Sequence, residues 1–493
     1  MEHSLDAGAV SFMRHSEREP RMNALDIPTA LNAPFERQRA SYDAAPFPEW
    51  DVRRDRLRRL QRLISDNEAA IEAAIDADFG GRPAMETQIA EIFPSLGEIK
   101  GALRHGAQWM RPRGAWVSKW FLPARAYVMP RPLGVVGIIV PWNYPLFLAI
   151  GPLVAALVAG NRALVKMSEY TPAFSQLFAE LIRKYFQPDE VEVITGGPDV
   201  AAQFSALPFD HLLFTGSTGV GRHVMAAAAQ NLTPVTLELG GKSPTVIAPG
   251  YSIERGAQRV LAGKLLNAGQ TCIAPDYVLV PRASLAAFVA QLKTNAERMF
   301  PRGLQDPDYC SIVNQRHYGR LVGYVEQAVA AGVTAVPLFS GSDRADESHR
   351  LAPTVLIDPP RSLDVMREEI FGPVLPVVGY GDIGEAMAYV NAQPRPLALY
   401  WFDDDAGRAE RVLKQTHAGG VCINETLMHV AQEELPFGGI GPSGMGHYHG
   451  KWGFDTFSKL TPVFRQSRLN GMNLFMPPYR PIVPTLLRLM KRF

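Results

Sequence analysis

A chain of 493 residues, 47% of them apolar and 20% charged, is too long for one hydrophobic core and has material for two or three. Its 50 basic and 49 acidic residues leave a net charge of +1, which excludes nucleic acid as a main partner because phosphate binding needs a basic surface. The three cysteines, Cys272, Cys310 and Cys422, make no disulfide framework and no CxxC zinc pair, so the expected location is the reducing cytoplasm and no metal is expected.

Residues before about Leu31 are polar and aperiodic, a loose arm without the apolar core of a signal peptide. Arg53, Arg54, Arg56, Arg58, Arg59 and Arg62 follow, with Leu57, Leu60 and Ile64 at helical spacing, and read as the solvated face of an amphipathic helix. Residues 113–132, with Trp116, Trp120, Phe121, Tyr127 and Val128, are not helical and interrupt the first domain. From Leu133 short apolar runs alternate with helical patterns. Strands are predicted at 133–140, 163–167, 191–195, 212–215 and 235–239. Helices fall between them, including 172–185, whose Phe174, Leu177, Phe178, Leu181 and Ile182 share one face. Strands alternating with helices mean a parallel sheet covered on both faces, with its ligand crevice at the carboxyl ends of the strands.

The most apolar stretch, 146–165, is broken by Gly151, Pro152, Gly160, Asn161 and Arg162 and reads as a buried helix and strand, not a membrane span. A second α/β run extends from near Pro244 past Asn424. The basic, apolar tail 484–493 is too short to span a membrane; it can rest weakly on a membrane surface, although docking on its own chain is favoured.

Several residues suit chemistry, each with an ordinary alternative. The loop Gly216-Ser217-Thr218-Gly219-Val220-Gly221 follows a strand and opens a helix, where backbone N–H groups can meet a pyrophosphate; a plain turn would look the same. Lys166 and Glu169 lie just past a strand end and could be a surface ion pair. Glu238, between Leu237 and Leu239, either faces solvent or is buried, and burial would raise its pKa toward that of a general base. Asn143, in Pro141-Trp142-Asn143-Tyr144-Pro145, either shapes a turn or offers an amide to an oxyanion. Cys272, ending Gly269-Gln270-Thr271-Cys272 after a helical pattern, is a buried thiol or a nucleophile, and a nucleophile needs an electropositive neighbour or helix end to lower its pKa. Asp78-Phe79-Gly80 has no HRD loop beside it, Gly241-Lys242-Ser243 has Thr236 where a P-loop needs glycine, and His447 and His449 have no third metal ligand at suitable spacing.

Four segments taken together carry more: Pro141-Trp142-Asn143-Tyr144-Pro145, Leu237-Glu238-Leu239-Gly240-Gly241-Lys242-Ser243-Pro244, Gly269-Gln270-Thr271-Cys272 and Glu368-Glu369-Ile370-Phe371-Gly372-Pro373. In this order they resemble the NAD(P)-dependent aldehyde dehydrogenase superfamily, over about residues 38–464. The resemblance implies an α/β protein with a Rossmann-like parallel-sheet cofactor domain (31–112 and 133–236), an α/β catalytic domain (237–428), an active-site loop returning to the cofactor domain (429–449), and a small β oligomerisation arm (113–132 and 450–475) that makes a homodimer. It implies Cys272 as nucleophile, Asn143 with the Cys272 N–H as oxyanion donors, and Glu238 as the base that hydrolyses a thioester. For the cofactor, NAD with NADP possible, it implies Lys166 and Glu169 at the adenine-side ribose, Ser217 at phosphate, Glu369 at the nicotinamide ribose and Phe371 behind the nicotinamide ring. Trp142, Gly216 and Gly221 complete that cofactor set. The family more often has Glu where this chain has Gly219.

The run from Gly269 to Tyr277, and Pro436-Phe437-Gly438-Gly439-Ile440-Gly441 continuing to Lys451, resemble the branch of fatty and aromatic aldehyde dehydrogenases. His429-Val430-Ala431-Gln432 is similar to bacterial coniferyl aldehyde dehydrogenases. The implied reaction is oxidation of an aldehyde to its acid, with aromatic aldehydes such as coniferaldehyde favoured over medium- or long-chain aliphatic ones, and with Trp142, Tyr144 and Phe437 as aromatic walls. A non-catalytic protein on the same fold is the alternative. A CoA-acylating enzyme would not need Glu238, and a cysteine hydrolase would need a histidine paired with Cys272.

Overall fold

The computed structural model describes residues 29–492; the loose arm expected before Leu31 lies almost wholly outside them. Two parallel-type sheets dominate. The first has six strands, in the order Gly444–Met445, Val235–Leu239, His211–Gly216, Val135–Ile139, Arg162–Lys166, Val191–Ile194. All pair in parallel except Gly444–Met445, which is antiparallel to Val235–Leu239. Every residue of Val135–Ile139 is buried, as a central strand covered on both faces requires. The chain builds outward from this strand to Val191–Ile194, then returns to its other side with His211–Gly216. That reversal opens a crevice at the carboxyl ends of the strands.

The helix Phe147–Ala159 is buried on every residue and stops at Gly160, whose φ of 97° is a left-handed conformation that glycine adopts without strain. Helix Pro172–Tyr185 buries Phe174, Phe178, Leu181 and Ile182 on the expected face. The second sheet has seven strands, in the order Thr334–Pro337, Thr354–Ile357, Val374–Tyr380, Tyr277–Pro281, Pro244–Ile247, Ala398–Phe402, Gly420–Ile423. Only the first of them runs antiparallel to its neighbour.

Four details differ from expectation. The chain crosses between sheets after Leu239, because all of Val235–Leu239 pairs with His211–Gly216, so a boundary at 237 would cut a strand. The arm is a three-stranded antiparallel sheet of Arg113–Ala115, Arg125–Pro132 and Ser458–Arg465; the helix Gly450–Thr456, expected in the arm, packs on the first domain's helices. In the helix Trp50–Ser65, Arg53 and Arg56 are buried, not solvated. Arg53 donates to the carbonyls of Val158 and Ala159 at the end of the buried helix (3.0 and 2.6 Å), and Arg56 pairs with Glu190 (3.0 Å). Orphan carbonyls at a helix end attract a cation, and periodicity is blind to such long-range partners. Lastly, the C-terminal helix Val483–Met490 rests on its own chain through buried Val483 and half-buried Leu486 and Met490 but leaves Leu487 and Leu489 exposed, so it docks only in part. Among the described residues no helix is long and apolar enough to cross a membrane.

Candidate active site

Cys272 follows an unusual piece of backbone. Helix Ile253–Leu265 ends in one tight turn, in which Asn267, Ala268 and Gly269 have φ of 53°, 50° and 80°. Consecutive left-handed residues persist only where their surroundings over-determine them. Here the Asn267 N–H donates to the Glu86 carboxylate (3.2 Å), and its Nδ2 donates to the carbonyls of Asn143 (3.1 Å) and Gln270 (3.2 Å). Gln270 Nε2 donates to Asn267 O and Ser311 O, both at 3.0 Å, while its Oε1 accepts the Val313 N–H. Next to Cys272, the Tyr144 and Thr271 hydroxyls share a 2.5 Å hydrogen bond.

Cys272 is half-buried. Burial, then the Glu369 and Glu238 carboxyls, push its thiol up to about 12. The electropositive neighbour expected from sequence is therefore not what surrounds this thiol; carboxyls do. Asn143, from the loop after Val135–Ile139, is buried. Its carbonyl accepts from Arg82 Nη1 (2.9 Å) as well as Asn267, and its Nδ2 donates to Gln270 O (3.1 Å). A primary amide has two N–H bonds, so one remains for an oxyanion beside Cys272.

Glu238 lies in the strand Val235–Leu239, opposite Thr215 on one side and Gly444 on the other. It is 2% exposed, neither carboxylate oxygen has a partner among the described residues, and burial alone raises its pKa well above the ordinary carboxyl value. Glu369 is half-buried, with its carboxyl against Gly240, where a Cβ would collide with it. Burial and then Asp276 push it up to about 8, and its Oε1 is unpartnered. The neighbouring Glu368 is spoken for differently: it accepts from Tyr324 Oη at 2.7 Å.

Cys272, Glu238, Asn143, Glu369, Phe371 and Trp142 line a cleft of about 220 Å³. It shares Pro141, Trp142, Gly216, Ser217 and His317 with a second cleft of about 760 Å³ that contains Lys166 and Glu169. Lys166 is buried, donates to the carbonyls of Met167 and Gly196 (both 2.7 Å), and has a pKa lowered by burial; it is no surface ion pair. Ser217 caps helix Thr218–Ala229, accepting from Val220 N at 3.4 Å. Of the expected residues, Gly221, Tyr144 and Phe437 lie outside these walls. Gly221 sits inside that helix, where a Cβ would stand 2.7 Å from Leu239, so its small size serves helix-to-strand packing.

The aromatic walls divide. Trp142 packs against Phe371 (5.3 Å) and His317 (5.0 Å), whereas Phe437 packs against His449 (5.4 Å) and Tyr448 (6.0 Å). His317 and Arg320 were not legible as site residues. They stand one turn apart on helix Gln315–Ala330, outside any motif, and Arg320 fixes the carbonyls of Glu369 (3.2 Å) and Ile370 (2.8 Å).

A sequence model of the aldehyde dehydrogenase family matches residues 19–463. The chain is 51% identical over 470 residues to a Pseudomonas aeruginosa protein named "Probable coniferyl aldehyde dehydrogenase", covering 95% of this chain and 96% of that one. It is 46% identical over 440 residues to the coniferyl aldehyde dehydrogenase of a Pseudomonas species, covering 89% and 91%. A substrate-bound structure of Staphylococcus aureus AldH superposes with a TM-score of 0.89 at 35% identity, covering 93% of this chain and 99% of that one.

Proposed function

Since the chain belongs to the aldehyde dehydrogenase family, which oxidises aldehydes to acids with NAD(P), we propose that Cys272, Asn143 and Glu238 perform that reaction here. The observation that carries this reading is their convergence on one cleft, where Glu238 keeps a buried carboxyl with no partner. The Cys272 thiol gives its proton to solvent, the thiolate sulfur bonds to the aldehyde carbon, the carbonyl π electrons move to oxygen, and the Asn143 amide with the Cys272 N–H holds the resulting oxyanion of the thiohemiacetal. When bound, the oxidised nicotinamide supplies the hydride acceptor. Loss of hydride leaves a thioester on Cys272. Glu238 takes a proton from water, the water oxygen bonds to the thioester carbon, the carbon–sulfur bond breaks, and the acid departs.

The residues present fit the dinucleotide. The larger cleft receives the N-terminus of helix Thr218–Ala229 with Ser217, a place for phosphate, and Lys166 and Glu169 suit a ribose. In the smaller cleft the unpartnered Glu369 oxygen offers an acceptor to the second ribose, with Phe371 beside it. The exposed Glu169 carboxylate favours NAD over NADP by repelling a 2′-phosphate.

The preferred aldehyde is aromatic, coniferaldehyde or a close analogue. The names of the two Pseudomonas relatives support this; Trp142 lines the cleft, whereas Tyr144 and Phe437 are buried outside it. Three free thiols suit a reducing compartment such as the cytoplasm. The C-terminal helix, with exposed leucines beside Arg488, Lys491 and Arg492, suits weak contact with a membrane surface or a second subunit.

The test is absorbance at 340 nm with NAD and a panel of aldehydes, with and without CoA. Coniferaldehyde should exceed octanal in kcat/KM, without need of CoA, and C272A should be inactive. Octanal better by tenfold, about 1.4 kcal/mol, would sink the aromatic assignment and leave the dehydrogenase standing. E238Q should give a burst of NADH and an acyl adduct on Cys272 with little steady-state rate; absence of both burst and adduct would move Glu238 to an earlier step.

A further inference from the structure

Outside the mechanism above, the most deeply buried charges near the site belong to Arg82 and Glu91, whose side chains are both fully out of solvent. Arg82 Nη1 lies 2.9 Å from Glu91 Oε1 and also donates to the Asn143 carbonyl at 2.9 Å. The other Glu91 oxygen accepts the N–H groups of Leu146 (2.7 Å) and Phe147 (3.1 Å), where the buried helix begins. One ion pair thus grips both ends of the segment 143–147. The guanidinium also lies over the Tyr144 ring (4.9 Å), and the Tyr144 hydroxyl reaches Thr271, the residue before Cys272.

Two features argue that this pair does more than stabilise the fold. A buried ion pair is often no better for stability than apolar residues of the same volume, because both ions must be desolvated. Here Arg82 Nε and Nη2 are buried without partners, which adds to that penalty. Glu91 also sits in a short π-helical segment, Gln88–Ile92, ahead of helix Phe93–Trp109. Such insertions are rare and occur mostly where a helix must re-aim a side chain at a functional site.

We propose that Arg82 and Glu91 are positioning residues that hold the Asn143 amide in line with the Cys272 N–H. The inference rests on the oxyanion role of Asn143. Arg82 fixes the Asn143 carbonyl, Glu91 fixes the chain just beyond it, and the side-chain amide is left one orientation. An oxyanion donor works by being in place before charge develops.

A double-mutant cycle tests this in single-turnover NADH bursts at saturating NAD and aldehyde. R82M should slow the burst 10- to 100-fold, with R82K recovering part of the rate. In the N143A background the same R82M change should slow it less than twofold, because the group it positions is gone. Equal factors in both backgrounds would overturn the proposal, since damage independent of Asn143 gives that pattern, and so would an R82M burst at the wild-type rate. Should N143A itself burst at the wild-type rate, the oxyanion reading falls and takes the proposal with it. The near-isosteric E91Q runs the same cycle if R82M does not fold.

Discussion

At the scale of single residues, the chemistry is set by which charges share a low-dielectric space. Burial first, and then the neighbouring Glu369 and Glu238 carboxyls, hold the Cys272 thiol protonated in the protein by itself. Removing Glu369, the largest of those charges acting on it, should lower the thiol pKa. At pH 9, above the value of about 8 for Glu369, E369Q should be alkylated by iodoacetamide at Cys272 severalfold faster than the wild type. Mass spectrometry of the quenched protein counts the adduct, and an unchanged rate would remove Glu369 from control of the thiol. The residues proposed to react were readable because each motif is local: Cys272, Glu238 and Asn143 stand out within a few neighbours. Arg82 and Glu91 do not, because their partners lie at Asn143, Leu146 and Phe147 and nothing in Gly81-Arg82-Pro83 hints at that distance.

At the scale of elements, the decisive piece is the turn that presents Cys272. Gly269 has φ of 80°, and a Cβ there would run into the backbone carbonyl of Gly372. Since this obstacle is backbone and not a flexible side-chain end, Gly269→Ala should destabilise the protein by about 2–3 kcal/mol and displace Cys272. Urea denaturation gives the first quantity and the burst amplitude the second; a variant matching wild type in both would mean the turn relaxes freely. Regular elements were legible wherever one local pattern sufficed, as in the fully apolar Val135–Ile139 or the one-sided Pro172–Tyr185. Pattern failed at Arg53 and Arg56, which look like a solvated stripe and instead close a helix end and bind Glu190.

At the scale of the whole molecule, distant segments are tied by buried polar groups. Glu98, on helix Phe93–Trp109, accepts the Gly450 N–H at 3.4 Å and lies 3.9 Å from His449 Nδ1, joining the first helices to the returning C-terminal loop. Burial pushes its carboxyl up to about 7, from an ordinary 4.5. A carboxyl raised in the folded state contributes stability that is full below about 4.5 and is lost as pH rises through about 7. Wild type should therefore lose about 2.5 kcal/mol more than Glu98→Gln between pH 5 and 8. Denaturation midpoints of both proteins at the two pH values check it, and parallel losses would contradict it. The arm sheet leaves one edge of Ser458–Arg465 unpaired, with Phe464 and Phe121 exposed and packed edge-on at 6.2 Å. Covered by a second copy, that surface would make the proposed homodimer. Light scattering should give twice the chain mass of 54.2 kDa, and Phe464→Lys should shift it toward monomer; a monomeric wild type would refute the assembly.

The sequence by itself determined the family and the alternation of strands and helices, and it named the side chains proposed to react. Hydrophobic period and short motifs are properties of neighbours along the chain. Tertiary structure alone decided that the chain leaves the first sheet after Leu239, that Gly221 packs against Leu239 outside the cleft, and that the thiol of Cys272 faces carboxyls. It alone revealed the ion pair behind Asn143. Each of these depends on groups brought together across tens or hundreds of residues, where burial strengthens every charge and no local spacing records the partner.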